Sequence, residues 1–274
     1  MFRLILSLIS VLIIVCKSFA SNEFVTRKYT TLDGLSQNDV QCIYQDSKGF
    51  IWLATNDGLN RFDGYEFKVY GYQSNGFNSN LIVCIDEDSH GNLWIGTSAG
   101  LYCYRNGKIV RHFKSDSSKL PEGNVYEIYF DSSHKGWICT ESGICIWDPS
   151  SESLKNDVFP EGFVHKEKIR MIYETSYHQL YFLPDKGELF VSDLTMSHFS
   201  RLTPGTLLDG KSLMAVVEDS EGWLWVATNK GMYRFDKKTK VVPFNFADGI
   251  PSLIFINCIP IKDEEGNFWF GNSR

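Results

Sequence analysis

The stretch from Asp46 to Asp63 reads DSKGFIWLATNDGLNRFD and opens with a turn signal, Asp46-Ser47-Lys48-Gly49. An apolar run, Phe50 to Thr55, follows. A second turn, Asn56-Asp57-Gly58, leads into an extended run that ends at Arg61-Phe62-Asp63. Two extended runs joined by an Asn-Asp-Gly turn read as a β-hairpin. One such hairpin is a weak signal, but this one recurs.

The frame returns as DSHGNLWIGTSAGLYCY from Asp88, DSSHKGWICTESGICIWD from Asp131, DSEGWLWVATNKGMYRFD from Asp219 and DEEGNFWFGNSR from Asp263. Its anchors are Asp46, Gly49, Trp52, Thr55 and Gly58 in the first copy, and Asp88, Gly91, Trp94, Thr97 and Gly100 in the second. Asp131, Trp137, Thr140 and Gly143 repeat them without the first glycine; Asp219, Gly222, Trp225, Thr228 and Gly231 repeat all five. The last copy supplies Asp263, Gly266 and Trp269, and a degenerate one has Tyr181, Pro184 and Gly187 in the Trp, Thr and second-Gly places. Successive aromatic anchors lie 42 to 44 residues apart. A period of this length built from short strands is the signature of β-propeller blades.

Each unit reads as four strands, in the first Val40 to Gln45, Phe50 to Thr55, Leu59 to Phe62 and Tyr65 to Tyr70. The opening strand alternates, with Val40, Cys42 and Tyr44 on one face. The fold class is all-β, a propeller of four-stranded blades. About five and a half blades of a seven-blade ring are expected within 21–274, leaving the ring incomplete and the chain truncated at its C-terminus. Glu23 to Thr30 resembles the outer strand Tyr65 to Tyr70 and is the candidate for a ring-closing strand. Within each turn the Asp bonds the backbone ahead of it, and the Trp is expected between neighbouring blades. Arg61 and Arg234 are placed to pair with a turn Asp of their own or an adjacent blade. These anchors are scaffold residues.

Composition bounds the function. The 274 residues include 20 Phe, 13 Tyr, 7 Trp and 22 Gly, as many short strands with tight turns require. The formal charge of −6, with no basic stripe, argues against a nucleic-acid partner. Residues 1–20 read as an export signal: Arg3 precedes an apolar run from Leu4 to Val15, and Ser18-Phe19-Ala20 supplies small residues at a cleavage site. That run falls short of the ~20 residues a membrane span needs. An exported, periplasmic chain is the expectation. Beyond the signal, Cys42, Cys84, Cys103, Cys139, Cys145 and Cys258 fall at strand positions, where packing as small hydrophobes is the better reading than disulfides. No Cys-x-x-Cys pair suggests zinc.

Several strings suggest chemistry and fail on context. Gly96-Thr97-Ser98-Ala99-Gly100 matches G-x-S-x-G, but it occupies a hairpin turn with no helix after it. Asp86 to Gly91 resembles a calcium loop whose twelfth position, Thr97, is not the required Glu. The six histidines lack ligand spacing, His90 and His134 standing at turn tips. The degenerate unit, with Tyr177-His178 at its turn, reads as repeat drift before it reads as a binding loop. Tyr72 and Phe77 are open to two readings, sugar stacking or blade capping. No catalytic or metal residue and no cofactor is assigned, and the ligand residues stay unknown.

The string from Gly34 to Tyr70, GLSQNDVQCIYQDSKGFIWLATNDGLNRFDGYEFKVY, closely resembles the two-component regulator propeller repeat, and Thr31 to Asn38 resembles the opening of a first repeat. The resemblance covers 24–274 through its DxxGxxWxxTxxG frame. It implies the extracytoplasmic sensor region of a hybrid two-component regulator that responds to oligosaccharides from glycan breakdown. It further implies absent C-terminal partners, namely further propeller, a membrane span and a histidine kinase, and a homodimer when full length. Two rivals remain at this point: an exported propeller lyase, which a His–Arg–Glu cluster at the central face would favour, and a protein-interaction scaffold.

Overall fold

A computed structural model describes residues 28–71, 76–115, 119–156, 159, 168–185, 189–202, 211–236, 241–244, 248, 261–262 and 268–269. Five four-stranded antiparallel meanders follow one another along the chain. Blade 1 holds β1 (Val40–Gln45), β2 (Ile51–Thr55), β3 (Gly58–Phe62) and β4 (Phe67–Tyr70). Blade 2 holds β5 (Ile82–Glu87), β6 (Leu93–Thr97), β7 (Gly100–Arg105) and β8 (Lys108–Lys114). Blade 3 holds β9 (Val125–Phe130), β10 (Gly136–Thr140), β11 (Gly143–Asp148) and β12 (Ser153–Lys155). Blade 4 holds β13 (Ile169–Glu174), β14 (Gln179–Pro184), β15 (Leu189–Asp193) and β16 (Phe199–Leu202). Blade 5 holds β17 (Leu213–Glu218), β18 (Leu224–Thr228), β19 (Gly231–Phe235) and β20 (Val241–Phe244). A final described pair, β21 (Ile261–Lys262) and β22 (Phe268–Trp269), starts a sixth unit. The architecture is all-β and built of propeller blades.

The register is the same in every unit. Trp52 lies opposite Tyr44, Trp94 opposite Asp86, Trp137 opposite Tyr129, Tyr181 opposite Tyr173, Trp225 opposite Val217 and Trp269 opposite Ile261. In all five complete blades the innermost strand carries a bulge after its first residue, between Val40 and Cys42 in blade 1. The alternation expected of Val40, Cys42 and Tyr44 is kept all the same: these three are half-buried, and Gln41, Ile43 and Gln45 between and after them are exposed. A bulge adds twist and bends the strand.

Apolar residues are buried between blades. One core joins Trp52, Ala54, Leu59 and Tyr70 of blade 1 to Ile82, Ile85, Leu93 and Tyr104 of blade 2. The second joins blades 2 and 3 around Trp94, Leu101, Ile138 and Trp147. The third joins blades 3 and 4 around Trp137 and Phe182, the fourth blades 4 and 5 around Tyr181 and Val226. The middle strands of the inner blades bury both faces, and β6 and β10 are buried along their whole length.

Blade 1 departs from this on its outer side. Ile43 is 55% exposed, whereas its counterparts Ile85, Ile128, Ile172 and Val216 are at most 5% exposed. Any blade closing the ring on this side would cover Ile43. The expected closing strand, Glu23 to Thr30, lies mostly outside the described residues, and 28–30 are irregular. Thr30 caps a short 3-10 turn, Thr31–Asp33, and Tyr29 packs edge-on against Phe62 and Phe67 of blade 1 at 4.9 and 5.6 Å. The following loop is pinned through buried Asn60, whose amide oxygen accepts the N–H of Ser36 at 2.9 Å. The export signal at 1–20, Gly187, Asp263, Gly266 and Cys258 lie outside the described residues.

Candidate functional site

The repeat anchors make two linked locks. In the first, the turn Asp divides its carboxylate. One oxygen of Asp46 accepts the N–H groups of Lys48 and Phe50, and the other accepts the Trp52 indole N–H at 2.7 Å. The same indole-to-Asp bond joins Trp94 to Asp88, Trp137 to Asp131 and Trp225 to Asp219, at 2.8–2.9 Å. In the second lock, Thr55, Thr97, Thr140 and Thr228 donate to the carbonyls of Gly58, Gly100, Gly143 and Gly231, at 2.8–3.1 Å. Each hydroxyl also accepts a backbone N–H of its own hairpin turn. Gly49, Gly91 and Gly222 occupy left-handed backbone in the first turn. His134 and His178 hold the equivalent place in blades 3 and 4 with φ of 69° and 59°. A residue with a Cβ is uncommon there.

Blade 4 replaces the first lock. Thr175 stands where the Asp would be, its hydroxyl accepting the Gln179 N–H at 3.2 Å, and Tyr181 supplies the ring without an indole. Pro184 fills the Thr place and ends the hairpin lock. Beside it, Ser132, Glu174 and His178 converge: the serine hydroxyl lies 2.5 Å from Glu174 and 2.9 Å from His178, and His178 lies 2.7 Å from Glu174. The trio has the composition of a hydrolytic triad but not its geometry. Serine and carboxylate share one nitrogen, Nδ1, whereas a relay needs them on opposite sides of the ring. Burial would raise the Glu174 carboxyl, but hydrogen bonds from Ser132 and His178 outweigh it and hold the group below its usual range.

Glu174 belongs to a pattern that the Asp–Trp frame does not reveal. The last residue of an inner strand reaches back to the turn serine of the preceding blade. Glu87 accepts the N–H and hydroxyl of Ser47 at 2.7 and 2.6 Å, Glu174 does the same for Ser132, and Glu218 accepts the Ser176 N–H at 2.7 Å. Between blades 2 and 3 the position is Phe130, and the Phe130 N–H donates instead to Asp86 at 2.9 Å.

Asp86 and Glu127 are a second buried polar feature. Burial raises Asp86 to about 7 against the hydrogen bonds it accepts from Glu87, Phe130 and Tyr44. Glu127 is 4% exposed and is pushed well above its ordinary value by burial and then by Asp86. The five described cysteines are thiols, four of them buried. Burial raises Cys42 to about 12 and Cys103 to about 11, which keeps them protonated and unreactive near neutral pH. Among the described residues no group of three His, Cys, Asp or Glu side chains could hold a metal ion.

A cavity of about 160 Å³ lies in the cleft between blades 1 and 2. Its blade 1 side holds Lys48, Phe50, Trp52, Arg61, Lys68 and Tyr70; its blade 2 side holds Glu87, Leu93, Tyr104 and Asn106. Arg234 in blade 5 pairs with its turn Asp219, its Nε donating at 2.8 Å, and with Glu221 at 2.5 Å. Arg61 does not pair so. Its guanidinium lies over the Phe50 ring at 4.4 Å and its Nε is buried without a partner. Phe77 is 2% exposed and packs on Tyr102 at 5.1 Å, so of the two readings offered for it the capping one holds. Tyr72 lies outside the described residues. Ser98 of the G-x-S-x-G string faces the Ser79 hydroxyl at 2.8 Å in a loop contact.

Comparison with known proteins shows what this chain is similar to. Residues 34–57 and 76–99 match the two component regulator propeller family. A 63-residue segment, 23% of the chain, is 51% identical to histidine kinase P4 of Formosa agariphila and spans 4% of that protein. The extracellular domain assigned to a hybrid two component system of B. thetaiotaomicron superposes with a TM-score of 0.75 at 26% identity, over 92% of this chain and 34% of that one. Virginiamycin B lyase from Staphylococcus aureus superposes with a TM-score of 0.65 at 12% identity, over 85% of this chain and 77% of that one. The last likeness is one of fold alone. The chain thus spans a minor part of the relatives with which it shares sequence.

Proposed function

We propose that this chain, which matches the two component regulator propeller family over residues 34–57 and 76–99, is the ligand-sensing part of a hybrid two-component regulator. The observation that carries the reading is the 92% overlay on the extracellular domain of such a system, at a sequence identity above that of the lyase overlay. The chain is exported on residues 1–20 and works in the periplasm. It responds to oligosaccharides released from glycans and, in the whole protein, passes the signal through a membrane span to a histidine kinase. A ligand acts there by favouring one geometry of a homodimer, since it can shift an equilibrium only by its differential affinity for the two states.

The lyase reading finds no support in the side chains. Histidine, serine and carboxylate meet at the turn of blade 4 around one imidazole nitrogen, and the cluster is an inter-blade clasp. The test of the sensor reading is a thermal-shift screen of the chain against plant and host oligosaccharides. A saturable rise in Tm with one glycan class is expected, because a ligand that binds only the folded state stabilises it by mass action. No shift across the panel, from a sample with a cooperative melt, would overturn the reading.

A further inference from the structure

We propose that the cleft between blades 1 and 2 is a binding site for a small oxyanion, a carboxylate or sulfate group, held by Arg61 with Lys48 and Lys68. The argument starts from the repeat. Arg61 and Arg234 hold the same frame position, each directly opposite the anchor Trp of its blade. In blade 5 the turn places Glu221 two residues after the Asp, and the arginine pairs with both acids. Its other cross-strand neighbour there is Val242. In blade 1 the residue two after the Asp is Lys48, and the cross-strand neighbour is Lys68. The repeat thus exchanges one cation between two carboxylates for three cations around one, Asp46.

The cleft lining offsets these three cations with two carboxylates, Asp46 and Glu87, and leaves one positive charge in excess. Among the described residues no carboxylate lies within ion-pairing distance of Arg61, Lys48 or Lys68. The two acids that line the cavity are already engaged, Asp46 by its own turn and Trp52, and Glu87 by Ser47 of blade 1. Asp63, further along the same hairpin, accepts the N–H groups of Tyr65 and Glu66 at 2.9 Å each. The Arg61 Nε is shielded from water with no acceptor, a state that is unfavourable for a charged donor. An arginine fork matches a carboxylate or sulfate through two parallel N–H donors, and the flanking ammonium groups add point charge. A cavity of about 160 Å³ admits such a group with at most a small carrier. The anion is either free or borne on one sugar unit.

The test is titration of the 274-residue chain with sulfate, glucuronate and glucose at constant ionic strength, followed by Trp fluorescence and by Tm. Saturable binding of sulfate or glucuronate and none of glucose is expected. Preference for sulfate marks a free-oxyanion site, and preference for glucuronate a site for an acidic sugar. Two variants remove the anion's partner differently. R61Q deletes the fork, and K48E recreates the blade 5 arrangement at an exposed position, giving Arg61 an internal carboxylate. Each should weaken binding about tenfold or more, the value of one charge-assisted hydrogen bond. K48E should also leave Tm in the absence of anion unchanged or raised, so lost binding is not lost folding. Anion binding unaltered in K48E and R61Q, glucose binding as well as glucuronate, or no response to either anion would each overturn the proposal. Because no oligosaccharide is involved in the sulfate arm, its outcome is separate from that of the sensor reading.

Discussion

Replacing Asp131 by Asn separates two roles that the repeat Asp combines. Asp and Asn are equally good formers of such turns, since either can accept from the backbone two residues ahead. The structure shows a second role. Asp131 is 3% exposed; its Oδ1 accepts the N–H groups of Ser133 and Lys135 and the Ser133 hydroxyl, and its Oδ2 accepts the Trp137 indole at 2.8 Å. Asn keeps one oxygen for the turn and turns an NH2 group toward the indole N–H. Two donors then face each other where water cannot enter, because Trp137 has no exposed surface. The lost bond to a charged acceptor costs about 1.5–3 kcal/mol, and an unsatisfied buried donor costs about 1–3 kcal/mol. A loss near 3 kcal/mol is expected. Urea unfolding followed by Trp fluorescence measures it, with D57N as control. Asp57 is an exposed hairpin residue whose carboxylate accepts only from Asn80, and its loss should stay within about 0.5 kcal/mol. If D131N unfolds within about 1 kcal/mol of the parent, the indole bond adds nothing and the Asp is a turn former only.

The same measurement decides four further expectations. I172A should cost about 2–5 kcal/mol, whereas I43A should cost well under about 1 kcal/mol, because the equivalent side chain of blade 1 is largely in water; equal losses would mean that the outer face of blade 1 is covered in solution. G100A should be strongly destabilising, since a Cβ there would meet the Phe113 carbonyl oxygen at 2.1 Å, while G107A, with nothing within 4 Å of the added carbon, should cost only about 1 kcal/mol of left-handed strain. Asp88, Asp219 and Glu174 are held below their usual range, so the stability they add is present above about pH 4–5 and lost as pH falls through their folded values; a urea midpoint flat down to pH 3 would contradict this. Asp86 has the opposite sign: raised to about 7, its support is full below about pH 4 and withdrawn as pH rises through 7; buried Glu127 acts the same way, so D86N should lessen, and D86N with E127Q remove, a decline that the parent shows above about pH 4.

The blades were legible because a fixed frame of Asp, Gly, Trp, Thr and Gly repeats at constant spacing, and each member enforces the same local geometry. The turn position of the Asp followed from its chemistry. Its bond to the indole six residues later did not, because a hairpin register is needed to see that the two side chains share a face. The inter-blade clasp was hidden for a related reason. Glu87, Glu174 and Glu218 sit one residue before the Asp or its substitute, but their partners lie in the preceding blade some forty residues earlier. The exchange of Glu221 for Lys48 was present in the aligned repeats. It gained meaning only when Arg61 was found away from its Asp and over Phe50. His134 and His178, both placed at turns by the repeat, occupy backbone that glycine holds elsewhere.

The cleft and the clasp meet in one interface, and that bears on how a propeller could report a ligand. A four-stranded sheet is stiff, so an adjustable element in this chain is the packing of one blade against the next. Glu87 closes the first interface by holding Ser47, and the same Glu87 lines the cavity beside Arg61. The cations belong to blade 1, whereas Tyr104 and Asn106 of the opposite wall belong to blade 2. A bound group that touches both walls has more contacts when the blades are packed than when they part, which is the differential affinity a switch requires. An anion held by Arg61 alone, with no contact to blade 2, would bind both states equally and shift nothing. Distinguishing these is a matter of whether anion binding protects the amide hydrogens of β1 and β5, which face each other across this interface. Protection confined to the Lys48 turn would assign the cleft to binding without signalling, and protection reaching both strands would make it part of the switch.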